Sequence, residues 1–140
     1  MNEREFDVIV FGATGFTGRL VAEYLLERYG VGADLKWAIA GRSPGKLDAL
    51  KNELGDAAAD LAYIVADSDD ADTLAALAAR TRVVLTTVGP YALYGSKLVA
   101  ACVEAGTDYC DLAGEVQWIR AMIDQHHERA RETGARIVHC

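Results

Sequence analysis

The chain has 140 residues, 51% of them hydrophobic and 25% charged, the balance of one globular domain and not of a disordered or fibrous chain. Fourteen basic against 21 acidic residues leave a formal charge of −7, the wrong sign for gripping a nucleic-acid backbone. No window approaches the ~20 apolar residues of a membrane span, and the start MNEREFDVIV lacks the basic head of a signal peptide, so a cytoplasmic domain is expected.

Short β-branched runs alternate with stretches of helical period, the pattern of a parallel sheet covered by helices. Phe6 to Phe11 reads as a first strand, and Gly12 leads into a helix with Leu20, Val21, Tyr24 and Leu25 at helical spacing and a stop at Gly30. Lys36 to Ala40 is a second strand. Ser43 then supplies an N-cap, Pro44 the first helical position, and Leu47, Leu50 and Leu54 the buried stripe. Leu61 to Ala66 is the third strand; Ser68 with Asp69, Asp70 and Asp72 places a cap and negative charge at the next helix, which packs through Leu74 and Leu77.

Arg82 to Val88 forms a fourth strand, broken by Gly89-Pro90, and a helix follows from Ser96 to Ala105 up to Gly106. Thr107 to Ala113 is a fifth strand. A long helix from about Glu115 to Thr133 turns Ile119, Met122, Ile123 and Ala130 inward and ends before Gly134; Ala135 to Cys140 is the sixth strand. This order predicts a doubly wound α/β Rossmann sheet, strand order 3-2-1-4-5-6, with residues 1–140 as one dinucleotide-binding domain. Ile137 to Cys140 reads as the middle or end of a buried strand, so the chain is expected to continue into a part that covers the substrate.

Gly12-Ala13-Thr14-Gly15-Phe16-Thr17-Gly18 directly follows the first strand and opens the first helix, where a dinucleotide fingerprint belongs. Gly12 permits the tight turn, Gly15 lets the backbone approach a pyrophosphate, and Gly18 lets helix and strand pack, while the helix N-terminus faces the anion. Thr14 and Thr17 add hydroxyl donors. At the end of the second strand, where an acid would bind the ribose 2′-hydroxyl of NAD, the chain has Gly41, Arg42 and Ser43, with Lys46 one turn later. Cations there suit a 2′-phosphate, so NADP(H) is the preferred cofactor and NAD(H) the other candidate. Asp67 stands where it would accept from the adenine amino group or cap the next helix. Thr87, Val88, Gly89 and Pro90 end the fourth strand where the nicotinamide half would pass.

No catalytic residue can be assigned. None of the six tyrosines has the lysine four residues later that short-chain reductases use. His126 and His127 fall inside the last long helix, away from the expected crevice. His139 ends the sixth strand, where residues can face ligand, and Tyr91, Tyr94, Asp111 and Glu115 lie beyond strand ends with either packing or substrate contact open to them. Cys102, Cys110 and Cys140 are odd in number and lie at no zinc-like spacing, so no metal site is expected and the thiols are read as reduced.

GATGFTG, the AGR of Ala40 to Arg42, VGPYALYG (Val88 to Gly95) and ACVEAGTDYCDLAGE (Ala101 to Glu115) together resemble the saccharopine dehydrogenase-like oxidoreductases, most closely their actinobacterial trans-acting enoyl reductase branch. The resemblance implies a longer enzyme whose Rossmann domain precedes a substrate and dimerisation domain. It implies a nicotinamide cofactor held by residues matching Gly12 to Gly18, Arg42 and Thr87 to Pro90. In that branch the reaction is reduction of a carbon–carbon double bond on a polyketide chain during lipid synthesis, with a lipid-like substrate. The rival expectation, compatible with the absent Tyr and Lys pair, is a non-catalytic NADP(H) sensor that couples redox ratio to partner binding.

Overall fold

A computed structural model describes residues 3–140. Six parallel strands form one sheet in the order β3-β2-β1-β4-β5-β6, as the alternation predicts. The strands are β1 (Phe6–Phe11), β2 (Trp37–Gly41), β3 (Ala62–Val65), β4 (Thr81–Thr86), β5 (Asp108–Cys110) and β6 (Ile137–Val138). The helices are α1 (Phe16–Tyr29), α2 (Pro44–Leu54), α3 (Ala71–Ala78), α4 (Tyr91–Tyr94), α5 (Ser96–Ala105) and α6 (Val116–Thr133).

Alternation along the strands divides the core in two. Ile9, Phe11, Ala38, Ala40 and Val84 face a layer holding Leu74, Leu77, Leu98, Val99, Cys102 and Trp118, which lie on α3, α5 and α6. Val10 and Ile39 face the other way, with Ala22 of α1 and Leu47 and Leu50 of α2. The central strands are therefore apolar on both faces, as buried parallel strands must be. At the amino ends of the strands the Arg4 guanidinium donates to the Ala78 and Ala105 carbonyls, at 2.9 and 2.7 Å, where α3 and α5 end. A cation there complements both helix dipoles.

Several local expectations are corrected. On α1, Leu20 and Tyr24 are 50% and 59% exposed; Gly18 and Ala22 make the buried contact, because small residues let the helix lie close to β1. On α6, Trp118 and Met122 are buried and Ile123 faces out. The cap of α3 is Asp70, whose carboxylate accepts from the amides of Asp72 and Thr73, and not Ser68. α4, unforeseen from sequence, starts where the Glu115 carboxylate accepts from the Tyr91 and Ala92 amides at 2.7 and 3.0 Å. Ser43 does cap α2, accepting from the Lys46 amide, with Pro44 at the first helical position.

Candidate functional site

At the carboxyl ends of β1 to β4 lies a cavity of about 380 Å³, the position at which open α/β sheets hold ligands. Of the sequence candidates, Gly12, Thr14, Gly15, Arg42, Asp67, Thr87, Val88 and Gly89 line it. Its wall includes Ser68, Asp69 and Tyr94 as well. Of these, the sequence points only to Tyr94 for ligand contact. Their position just past β3 and in the turn after Gly89-Pro90 was the available signal.

The three glycines do three different jobs. Gly12 has φ +87, and a Cβ there would fall 2.5 Å from the Val88 side chain. At Gly18 a Cβ would fall 2.0 Å from the Gly12 carbonyl oxygen, so helix and strand touch through the missing side chain. At Gly15 a Cβ would meet nothing nearer than 3.5 Å, so this backbone is open to the cavity. Gly15 also precedes α1 without any side-chain cap, and no acid occupies the first turn. The first-turn amides of α1 therefore keep free donors and a positive dipole end, a good fit to a pyrophosphate.

The remaining candidates sit around this cradle. Ala13 is fully buried beneath it. Phe16 is 85% exposed on the first turn of α1, and Thr17 beside it is also exposed. Arg42 is exposed at the cavity rim. Lys46 lies in an adjoining depression with Thr14, Arg19 and Glu53, where Arg19 is already paired to Glu23 and Glu53. Ser43 is committed to its cap, and Asp67 turns one carboxylate oxygen onto the Asp69 amide at 2.9 Å. Pro90 is exposed just past the wall and precedes α4.

The other singled-out residues separate by environment. Tyr91 is buried; its hydroxyl donates to the Thr86 carbonyl and accepts from the Leu112 amide, and burial raises its pKa. Glu115 caps α4, while Asp111 is buried between Tyr109 and His139. Cys102 is buried in α5, where desolvation pushes its thiol up and keeps it protonated. His126 is partly buried on α6, and burial lowers its pKa. Among the described residues no helix is long and apolar enough to cross a membrane.

A trans-acting enoyl reductase of Mycobacterium tuberculosis is 52% identical over 136 residues, covering 97% of this chain and 32% of that protein. The trans-acting enoyl reductase of Mycobacterium ulcerans is 48% identical over the same extent. The chain thus spans about a third of the length of the curated relatives it matches. Among solved structures, saccharopine dehydrogenase (L-Glu forming) from Saccharomyces cerevisiae superposes with a TM-score of 0.68 at 18% identity, covering 96% of this chain and 26% of that one. Triphenylmethane reductase from Citrobacter sp., complexed with NADP(H), gives 0.66 at 20% identity, covering 96% and 48%. These two likenesses show the fold. Residues 8–138 match the family described as the saccharopine dehydrogenase NADP binding domain, and with the glycine cradle in place the chain belongs to that family.

Proposed function

We propose that this chain is the N-terminal, NADP(H)-binding part of a longer reductase that acts on a carbon–carbon double bond of an acyl or polyketide chain. The observation that carries the reading is the uncapped α1 N-terminus and open Gly15 backbone facing a cavity whose β2 rim bears Arg42. The names of the 52% and 48% identical relatives supply the reaction class.

In this reading Gly12 to Gly18 receive the pyrophosphate: Gly15 by close approach, Thr14 and Thr17 through their hydroxyls, and the first-turn amides, Phe16 included, through the helix dipole. Ala13 and Gly18 shape the loop from beneath. Arg42 binds the 2′-phosphate, with Lys46 reaching in from the depression beyond Thr14 and Ser43 holding that turn in place. The free oxygen of Asp67 faces the adenine end. Thr87, Val88, Gly89 and Pro90 guide the nicotinamide half toward β5 and β6. When bound, the cofactor supplies the hydride. The chain's own residues orient it, and a downstream domain, also the seat of any dimer contact, completes the pocket for a lipid-like substrate. Three free cysteines fit a reducing cytoplasm.

Calorimetric titration with NADPH and NADH at one salt concentration tests the cofactor assignment. Tighter NADPH binding is expected. Arg42→Ala should weaken NADPH roughly tenfold to a hundredfold, the loss of one charge-assisted contact, and leave NADH nearly unchanged. Equal loss for both cofactors would refute the 2′-phosphate role. The full-length protein should oxidise NADPH with a trans-2-enoyl thioester; binding without any hydride transfer would refute the reductase.

A further inference from the structure

The carboxyl ends of β4, β5 and β6 lie in register. Leu85 pairs with Cys110 and Cys110 with Val138, so one residue further Thr86, Asp111 and His139 form a row. Strands about 4.8 Å apart put His139 roughly 10 Å from Thr86, whose neighbour Thr87 lines the nucleotide cavity. A nicotinamide passing Gly89 toward β5 would bring its substrate over this row.

Asp111 stands in the middle, its side chain wholly inaccessible. Oδ1 accepts from the Ala113 amide at 2.9 Å. Oδ2 accepts from the Tyr109 hydroxyl at 2.6 Å and meets His139 Nδ1 at 2.8 Å. Burial, then Asp111, pushes the Tyr109 phenol far above its ordinary range, so it stays a donor. Facing a carboxylate, Nδ1 of His139 carries a hydrogen, which leaves Nε2 as the atom that gains and loses a proton.

Among the described residues Nε2 has no hydrogen-bond partner, yet no buried side-chain nitrogen lacks one. Nε2 is therefore open to solvent, although the side chain is only 9% exposed. Tyr109 and Trp118 hold the ring edge-on, with centroids 5.9 and 5.2 Å away. The ring lines a second cavity, of about 310 Å³, with Met122, Ile123 and Ile137. The titratable groups around it are Tyr109 of β5, Asp111 just past its end, and His126, His127 and Arg131 from α6.

Resting on the reductase reading, we propose that His139 is the proton donor of the reaction and Asp111 its positioning residue. The bound cofactor would supply hydride to the β-carbon of the enoyl group, the π electrons passing to the α-carbon. That carbon takes the proton from His139 Nε2 as the N–H bond breaks. The imidazole is left neutral beside the Asp111 carboxylate and regains its proton from water, while NADPH has become NADP⁺. Asp111 selects the tautomer, holds the ring and stabilises the imidazolium.

The test uses the full-length protein with short- and long-chain trans-2-enoyl thioesters of N-acetylcysteamine. His139→Gln should keep the NADPH Kd within about twofold and lower kcat roughly 10²- to 10⁴-fold, the range of a general acid. Asp111→Asn should lower kcat with KM and the NADPH Kd held within about twofold, and combined with His139→Gln it should cost no more than His139→Gln alone. His139→Gln with wild-type kcat would overturn the proton donor and leave the reductase standing. A wild type that binds NADPH and oxidises none would overturn both. If the glutamine variant fails to fold, nitrogen NMR of the wild-type histidines decides. Nδ1 protonated in the neutral ring supports the assignment; Nε2 protonated there overturns it.

Discussion

The two halves of the sheet reach order by different means. In the β1 to β3 half the strands run four to six residues, and the ligand-facing end is made of backbone: a glycine turn, an uncapped helix and short caps. In the β4 to β6 half the strands shorten from six residues to three and then two. There the carboxyl ends are held by buried side chains, with Glu115 capping α4 and Asp111 joining Tyr109, Ala113 and His139. Main-chain geometry suits a cofactor common to many enzymes, whereas side-chain networks can differ with the substrate.

Breaking the first half should be most costly at Gly18. Gly18→Ala forces a Cβ to within 2.0 Å of a backbone oxygen, so a loss of more than ~3 kcal/mol, beyond ordinary overpacking, is expected in denaturant melts. An unchanged midpoint would mean that α1 can move off β1 freely. In the second half, Asp111→Ala strands the Tyr109 hydroxyl and His139 Nδ1, and about 2 to 3 kcal/mol should be lost. Loss of tyrosine burial by near-ultraviolet dichroism should accompany it; a neutral effect would remove the network from the account of β5 and β6.

Gly15→Ala sharpens the contrast, because space for a methyl exists in the protein itself. Stability should change by less than ~1 kcal/mol, while NADPH affinity falls about tenfold or more; the reverse pattern would place the pyrophosphate elsewhere. Ser43→Ala removes one cap bond and should cost about 1 kcal/mol without changing the cavity. The smallest effect concerns Asp108 at the amino end of β5. Burial raises its carboxyl, but hydrogen bonds from the Arg136 side chain and amide outweigh this and hold it below the ordinary value. A depressed carboxylate contributes stability that is full above its unfolded pKa, about 3.9, and lost as pH falls through the folded value. Arg136→Ala should flatten that acid limb in pH-dependent melts, and an unaltered limb would assign it to other carboxylates.

Reading the sequence served the first half better than the second. The alternation of strands and helices, the Ser43 cap, the positive φ of Gly12 and the packing of Gly18 on the Gly12 carbonyl all follow from interactions within a few residues or across one βα unit. Expectations failed where partners were distant in sequence. α4 depends on a carboxylate 24 residues away, and no local pattern marks Tyr91-Ala92-Leu93-Tyr94 as a helix. Leu20 and Tyr24 have helical spacing, but they share α1 with glycine and alanine, and the smaller residues set the contact face.

By itself, then, the sequence determined the period of each element, the place of the glycine loop after β1 and the cation at the end of β2, since these are properties of local backbone and composition. Only the tertiary structure decided which residues of that loop open onto the cavity, that Lys46 lies in a separate depression, and that His139 meets Asp111 28 residues away. Burial and strand register create those neighbours, and neither can be read from spacing along a single chain.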